Sequence, residues 1–153
     1  MTTFGATVLW TRPDDTMFTD NRYSRAHVWQ FDGGAVVPAS SSPHIVRVPL
    51  SVPENVDPEE AYVASLSSCH MLFFLADAAK AGFVIDEYRD AAEGELGKNA
   101  EGKLYVSRVT LRPHVTYAGT APDRATETHM HHNAHAQCFI ANSVLTHIEV
   151  EPV

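Results

Sequence analysis

The stretch Asp57-Pro58-Glu59-Glu60-Ala61-Tyr62-Val63-Ala64-Ser65-Leu66-Ser67-Ser68-Cys69-His70 decides the fold. Asp57 is a strong N-cap, Pro58 suits the first helical position, and Glu60, three residues after Asp57, completes a capping box. Gly82, after Lys80-Ala81, supplies the C-cap. The signals predict one long helix between these ends. Within it Tyr62, Leu66, Cys69, Phe73 and Ala76 recur at helical spacing, and Val63, His70 and Phe74 form an adjacent stripe. Apolar residues cover most of the circumference, which predicts burial on several sides, in a large core or against a partner. The run Ala61 to Ala79 is long enough for a bilayer. Ser65, Ser67, Ser68, His70, Asp77 and the flanking Glu59 and Glu60 instead mark a core helix of a water-soluble protein.

Outward from the helix the pattern is β-like. Ala6 to Trp10 and Ala26 to Phe31 are rich in β-branched and aromatic residues, and Asp32-Gly33-Gly34 turns the chain into Ala35-Val36-Val37. Ser40-Ser41-Ser42-Pro43 is a loop, and His44 to Pro49 alternates as a further strand that Pro49 ends. After the helix, Ile85 to Gly97 and Lys103 to Tyr117 read as strands joined by the turn Lys98 to Gly102. Ala121-Pro122-Asp123 opens a second helix reaching about Cys138, and Leu145 to Val150 alternates as the last strand. Strands, helix, hairpin, helix, strand is an α+β order. No repeat or linker interrupts it, so residues 1–153 read as a single domain.

Hydrophobic content of 44% with 20% charged residues suits a globular chain. Eleven Lys plus Arg against nineteen Asp plus Glu give a net charge of −8, which repels nucleic acid and anionic membranes. Met1 to Asp15 shows no basic flank or apolar core of a secretory signal. Two cysteines without an export signal point to a reducing cytoplasm, where a transient disulfide is the plausible kind.

Those cysteines carry the functional question. Cys69 lies mid-helix behind Ser67 and Ser68. Cys138 closes His129-Met130-His131-His132-Asn133-Ala134-His135-Ala136-Gln137-Cys138. A buried thiol can be an inert small hydrophobe, but a second cysteine allows a sulfenic acid to be resolved as a disulfide. The rival is zinc: on a helix His131, His135 and Cys138 share one face, and Cys69 could be the fourth ligand. His129, His131 and His132 otherwise read as a solvated face. His135, when charged, would lower the Cys138 thiol pKa. His70 points roughly 100° from Cys69 around the helix and adds little. A thiolate also needs a cation, for which Arg22, Arg25 and Arg47 are the candidates, with Glu59 or Glu60 to orient it.

The segment Val56 to His70 resembles the Asn-Pro-Glu-(Glu/Gln)-Leu…Ala-(Ala/Gly)-Cys segment of the OsmC/Ohr family, the osmotically inducible and organic hydroperoxide resistance proteins, including the step from Glu59 to Cys69. Cys138-Phe139-Ile140-Ala141-Asn142-Ser143 resembles the segment around that family's second cysteine. The resemblance implies an OsmC-like antiparallel sheet packed on a long central helix, in an intertwined homodimer. It implies a thiol-dependent peroxidase for organic hydroperoxides, with Cys69 peroxidatic, Cys138 resolving and Glu59 holding the activating arginine. Electrons would come from a dithiol such as a lipoylated protein, with no cofactor and no metal. The family's arginine sits in the turn after an early strand. Here that turn, Phe31-Asp32-Gly33-Gly34, has none, so Arg25, or Arg22, just before the strand stands in. Phe139 replaces the usual proline. Along a straight helix Glu59 and Cys69 are roughly 15 Å apart, so an arginine must bridge them or the acid must come from another subunit. A zinc-binding protein and a non-catalytic binder of small apolar ligands are the alternatives.

Overall fold

Both hydrogen bonds of the expected capping box are present in the computed structural model, which describes residues 1–153. The Glu60 amide donates to Asp57 Oδ1 at 2.8 Å and the Asp57 amide to Glu60 Oε2 at 3.1 Å. They start helix α1, Pro58–Lys80. At its other end Phe83 N–H donates to the Ala78 carbonyl at 3.0 Å and Gly82 N–H to Ala79 at 3.1 Å. This is a Schellman closure, and it needs the left-handed φ of +83° that Gly82 supplies. The chain divides into two compact units, Met1–Ala61 and Tyr62–Val153.

The first unit is an antiparallel meander of β1 (Ala6–Leu9), β2 (His27–Phe31) and β3 (Val36–Ala39), with Val8 opposite Trp29 and Trp29 opposite Val37. Asp32 to Gly34 turn β2 into β3 as expected, with Gly34 at φ +88°. His44 to Pro49 is a succession of turns, not the expected strand. The Ser42 carbonyl accepts from the amides of Ile45 and Val46, at 3.0 and 2.9 Å, and Arg47 accepts from Leu50 at 3.1 Å. Local turns have used the groups that a ladder would need. Ile45 and Val48 are each 54% exposed, so the alternation covers no core.

The second unit holds the rest of α1, a two-stranded sheet of β4 (Val84–Asp90) and β7 (Pro113–Ala118), and a sheet ordered β5 (Glu93–Lys98), β6 (Leu104–Leu111), β8 (His147–Val150). Two strands expected to run unbroken, Ile85 to Gly97 and Lys103 to Tyr117, each break in the middle and pass from one sheet to the other. One carboxylate marks the corner. Asp90 Oδ1 accepts the Arg112 amide at 2.6 Å, and Asp90 Oδ2 accepts the Ser67 hydroxyl of α1. Arg112, between β6 and β7, gives its N–H to this side chain instead of to a strand. β8 pairs parallel with β6, a departure from the all-antiparallel expectation. It arrives after the second helix, α2 (Arg124–Gln137), which Asp123 caps through Thr126 N–H at 2.8 Å.

Two hydrocarbon clusters hold α1 in this unit. Leu66 packs with Val109 and Leu111 of β6. Phe74 and Ala78 pack with Met130 and Ala134 of α2, flanked by Ile85, Tyr88 and Val115. Only the row Leu66, His70, Phe74, Ala78 is fully buried, and Leu72 remains 60% exposed. Burial on several sides is therefore not reached within one chain. By length and composition α1 could cross a membrane, but its Ser67 and Asp77 are hydrogen-bonded to β4 and α2.

Gly94 fixes how closely α1 approaches β5, because a Cβ there would stand 2.6 Å from Val63 Cγ2. Valine is stiff at χ1 and cannot turn away cheaply. Gly94→Ala is expected to lose about 1–3 kcal/mol of stability, read as a lowered urea midpoint, whereas Gly5→Ala, in open space, should leave it in place.

Candidate functional site

Cys69 and Cys138 meet. Cys69 is half-buried on α1. Cys138 is 1% exposed and caps the C-terminus of α2, its amide donating to the carbonyls of Ala134 (3.0 Å) and His135 (3.3 Å). The two thiols are neighbours, and both are free. Burial, and next the neighbouring Cys69 thiol, push the Cys138 pKa up to about 11. The amides of Ala141 and Ile140, at the start of a 3-10 turn over Ala141–Ser143, work in the opposite sense. Ala141 N–H donates to Cys138 Sγ at 3.3 Å. The lowering of this thiol expected from His135 is not found: burial raises it.

The histidines are arranged differently from either sequence-based expectation. No three His, Cys, Asp or Glu side chains converge to hold a metal ion, so the His131–His135–Cys138 zinc cluster does not form. His131 is not solvated but 4% exposed, turned inward to His70, which is 1% exposed. His70 Nε2 and His131 Nδ1 lie 3.0 Å apart, one donating and the other accepting. The His131 ring also stacks on Phe74 at 4.2 Å. Burial first, then the charges that His131 and His135 can carry, lower the His70 pKa to about 4; burial lowers His131 to about 4. Their outer nitrogens, His70 Nδ1 and His131 Nε2, have no partner. A signal for this pair was present: Met130, Ala134 and Cys138 mark the inner row of α2, and His131 adjoins it.

The remaining site candidates lie in the first unit. Arg25 and Glu59 line one open cleft of about 360 Å³ together with Trp10, Tyr23, His27 and Pro58. Glu60 is consumed by the cap, which leaves Glu59 as the free carboxylate. No ion pair joins Glu59 to Arg25. The guanidinium lies 3.8 Å over the Tyr23 ring and donates to Asn21 Oδ1 at 2.8 Å, to the Asn21 carbonyl at 3.1 Å and to the Tyr23 carbonyl. Arg22 and Arg47 are exposed and do not line the cleft. Sequence reasoning did not anticipate Asn21 and Tyr23 as the groups that hold Arg25.

A helix thiol paired with a buried second thiol, on an α+β frame, defines a dithiol protein of mixed α/β class. The sequence model of the OsmC-like protein family matches residues 52–153, and the chain belongs to that family. A solved OsmC-like protein of unknown function from Vibrio cholerae is 55% identical with a TM-score of 0.98, and all of both chains is covered. The organic hydroperoxide resistance protein of Elizabethkingia anophelis has 18% identity and a TM-score of 0.69, over 99% of this chain and 94% of that one. OhrB of Bacillus subtilis has 17% identity and a TM-score of 0.65, over 98% of each. These last two show the shared fold. No curated protein sequence matches this chain.

The buried imidazoles give stability a defined pH dependence. Both folded pKa values, about 4, lie below the unfolded value of 6.5. Between these limits the unfolded chain binds more protons, so stability falls as pH drops from 6.5 toward 4, by about 1.4 kcal/mol per unit for each histidine. Urea unfolding across pH 4.5–8 should show this slope, and His131→Leu should reduce it by roughly half.

Proposed function

We propose that this protein is a thiol-dependent peroxidase that reduces organic hydroperoxides, the 153 residues working as one OsmC-like domain in an intertwined, cytoplasmic homodimer. The observation that carries the reading is that a half-exposed Cys69 lies close enough to a buried Cys138 to raise its pKa. Membership of the OsmC-like family, and a fold shared with organic hydroperoxide resistance proteins, support it. The apolar face that α1 leaves uncovered around Leu72 suits a second copy.

In this reading the Cys69 thiolate attacks the distal peroxide oxygen. The O–O bond breaks, the alkoxide takes a proton and leaves as alcohol, and Cys69 becomes a sulfenic acid. Cys138 then attacks that sulfur. Its proton joins the departing hydroxide as water, and a disulfide forms. A dithiol, such as a protein-bound lipoyl group, returns both sulfurs to thiols by two exchanges and is itself oxidised to a disulfide. Arg25, held by Asn21 and Tyr23 in the cleft that Glu59 also lines, supplies the positive charge that favours the attacking thiolate. Burial and a high pKa keep Cys138 protonated until Cys69 is oxidised, so each sulfur has one task.

Purified protein should consume tert-butyl hydroperoxide with dihydrolipoamide, and Cys69→Ser should reduce this to the uncatalysed background. Cys138→Ser treated with the peroxide should carry a dimedone-trappable sulfenic acid at Cys69. Arg25→Gln should slow the first step by about tenfold, the effect expected of one nearby charge, while Arg22→Gln should not. A Cys69 inert to peroxide in folded protein would remove the proposal.

A further inference from the structure

The rings of Phe73 and Phe139 pack edge to face, with centroids 5.2 Å apart and planes at 88°. Phe73 follows Cys69 by four residues on α1, so its side chain lies on the same face one turn along. Phe139 directly follows Cys138. The two aromatic residues therefore join the same two segments that the thiols join. Phe139 is 71% exposed and gains little from burial in the chain, so the Phe73 ring is the main contact of its side chain. Its carbonyl accepts the Ser143 hydroxyl at 2.7 Å, and the Cys138 carbonyl accepts the Asn142 amide at 3.0 Å, which makes residues 138–143 one stiff turn. A contact made by Phe139 is thus transmitted to Cys138. The other contacts run through Met130, His131 and Ala134, one turn or more before the sulfur, and through Ile140 and Ala141, which pack against the Leu66 cluster after it; Gln137 reaches Asp77 only at the margin of hydrogen bonding, 3.3 Å.

We infer that Phe73 and Phe139 form an aromatic latch that positions Cys138 against Cys69 and so sets how readily the pair closes into a disulfide. The inference deepens the proposed function and rests on it only for the biological oxidant. The latch acts on the reduced protein, where nothing covalent joins the segments. Releasing it lets the 138–143 turn sample open arrangements that the disulfide would have to reverse. An edge-to-face pair of this kind is worth enough to change the closing equilibrium about tenfold.

The test is thiol–disulfide exchange, which needs no peroxidase activity. In a glutathione buffer the two protein thiols and one oxidised glutathione give the protein disulfide and two reduced glutathione molecules, so electrons and protons balance. Phe139→Ala and Phe73→Leu should each lower the equilibrium constant about tenfold, raising the potential of the pair by about 30 mV. The double variant should add little to either single one, and Phe139→Tyr should keep the wild-type value. Urea midpoints identify any variant that fails to fold, and the exposed position of Phe139 makes its replacement the cleaner probe. In peroxide-treated protein the same variants should prolong the Cys69 sulfenic acid without changing its rate of formation. Wild-type equilibrium constants in both single variants, or losses that simply add in the double variant, would overturn the latch. Failure of the peroxide experiment alone would overturn the proposed function and leave the latch standing.

Discussion

The hydrogen bond between two uncharged imidazoles, His70 and His131, is the constraint on which the site depends. It crosses from α1 to α2 inside an otherwise hydrocarbon contact of Phe74, Ala78, Met130 and Ala134. Hydrocarbon alone tolerates several helix registers, whereas a buried polar pair is satisfied in only one. His70 directly follows Cys69, and Cys138 lies two turns beyond His131. The register that joins the imidazoles is also the one in which the sulfurs meet. Leaving both rings neutral avoids burying charge, at the cost of the acid sensitivity that their lowered pKa values bring.

A second constraint sits at the opposite edge of α1. Asp90 takes the amide that the break between β6 and β7 releases and the hydroxyl of Ser67, two residues before Cys69. The strand corner and the thiol-bearing turn of the helix are thus tied to one carboxylate. Together with the close approach of Gly94 to Val63, it fixes the helix on the sheets while its far end is fixed on α2.

What the sequence revealed follows from the range of the interactions concerned. The ends of α1 were legible because Asp57, Glu60 and Gly82 act on their own neighbours, as does the Asp123 cap of α2. The corner at Asp90 was not, since alternation with a period of two reads the same on both sides of a bend, and its partner is 22 residues away. His44 to Pro49 misled for a related reason: alternation marks a strand only when something covers one face. Parallel pairing of β8 with β6 depends on where α2 delivers the chain. Both cysteines could be singled out from residue type, whereas Glu59 and Arg25 were singled out among several candidates only through the family resemblance, and they line a cleft of the first unit. The inward turn of His131 could not be foreseen, because histidine suits either face of a helix.

The unequal cover of the two sulfurs has a consequence for the resting molecule. Stray electrophiles meet Cys69 first, since Cys138 is sealed from solvent and protonated across the neutral range. The hidden sulfur is shielded from whatever else the surroundings contain. Damage is thereby steered to one member of the pair: an alkylating agent takes the outer sulfur, while the inner one stays chemically intact.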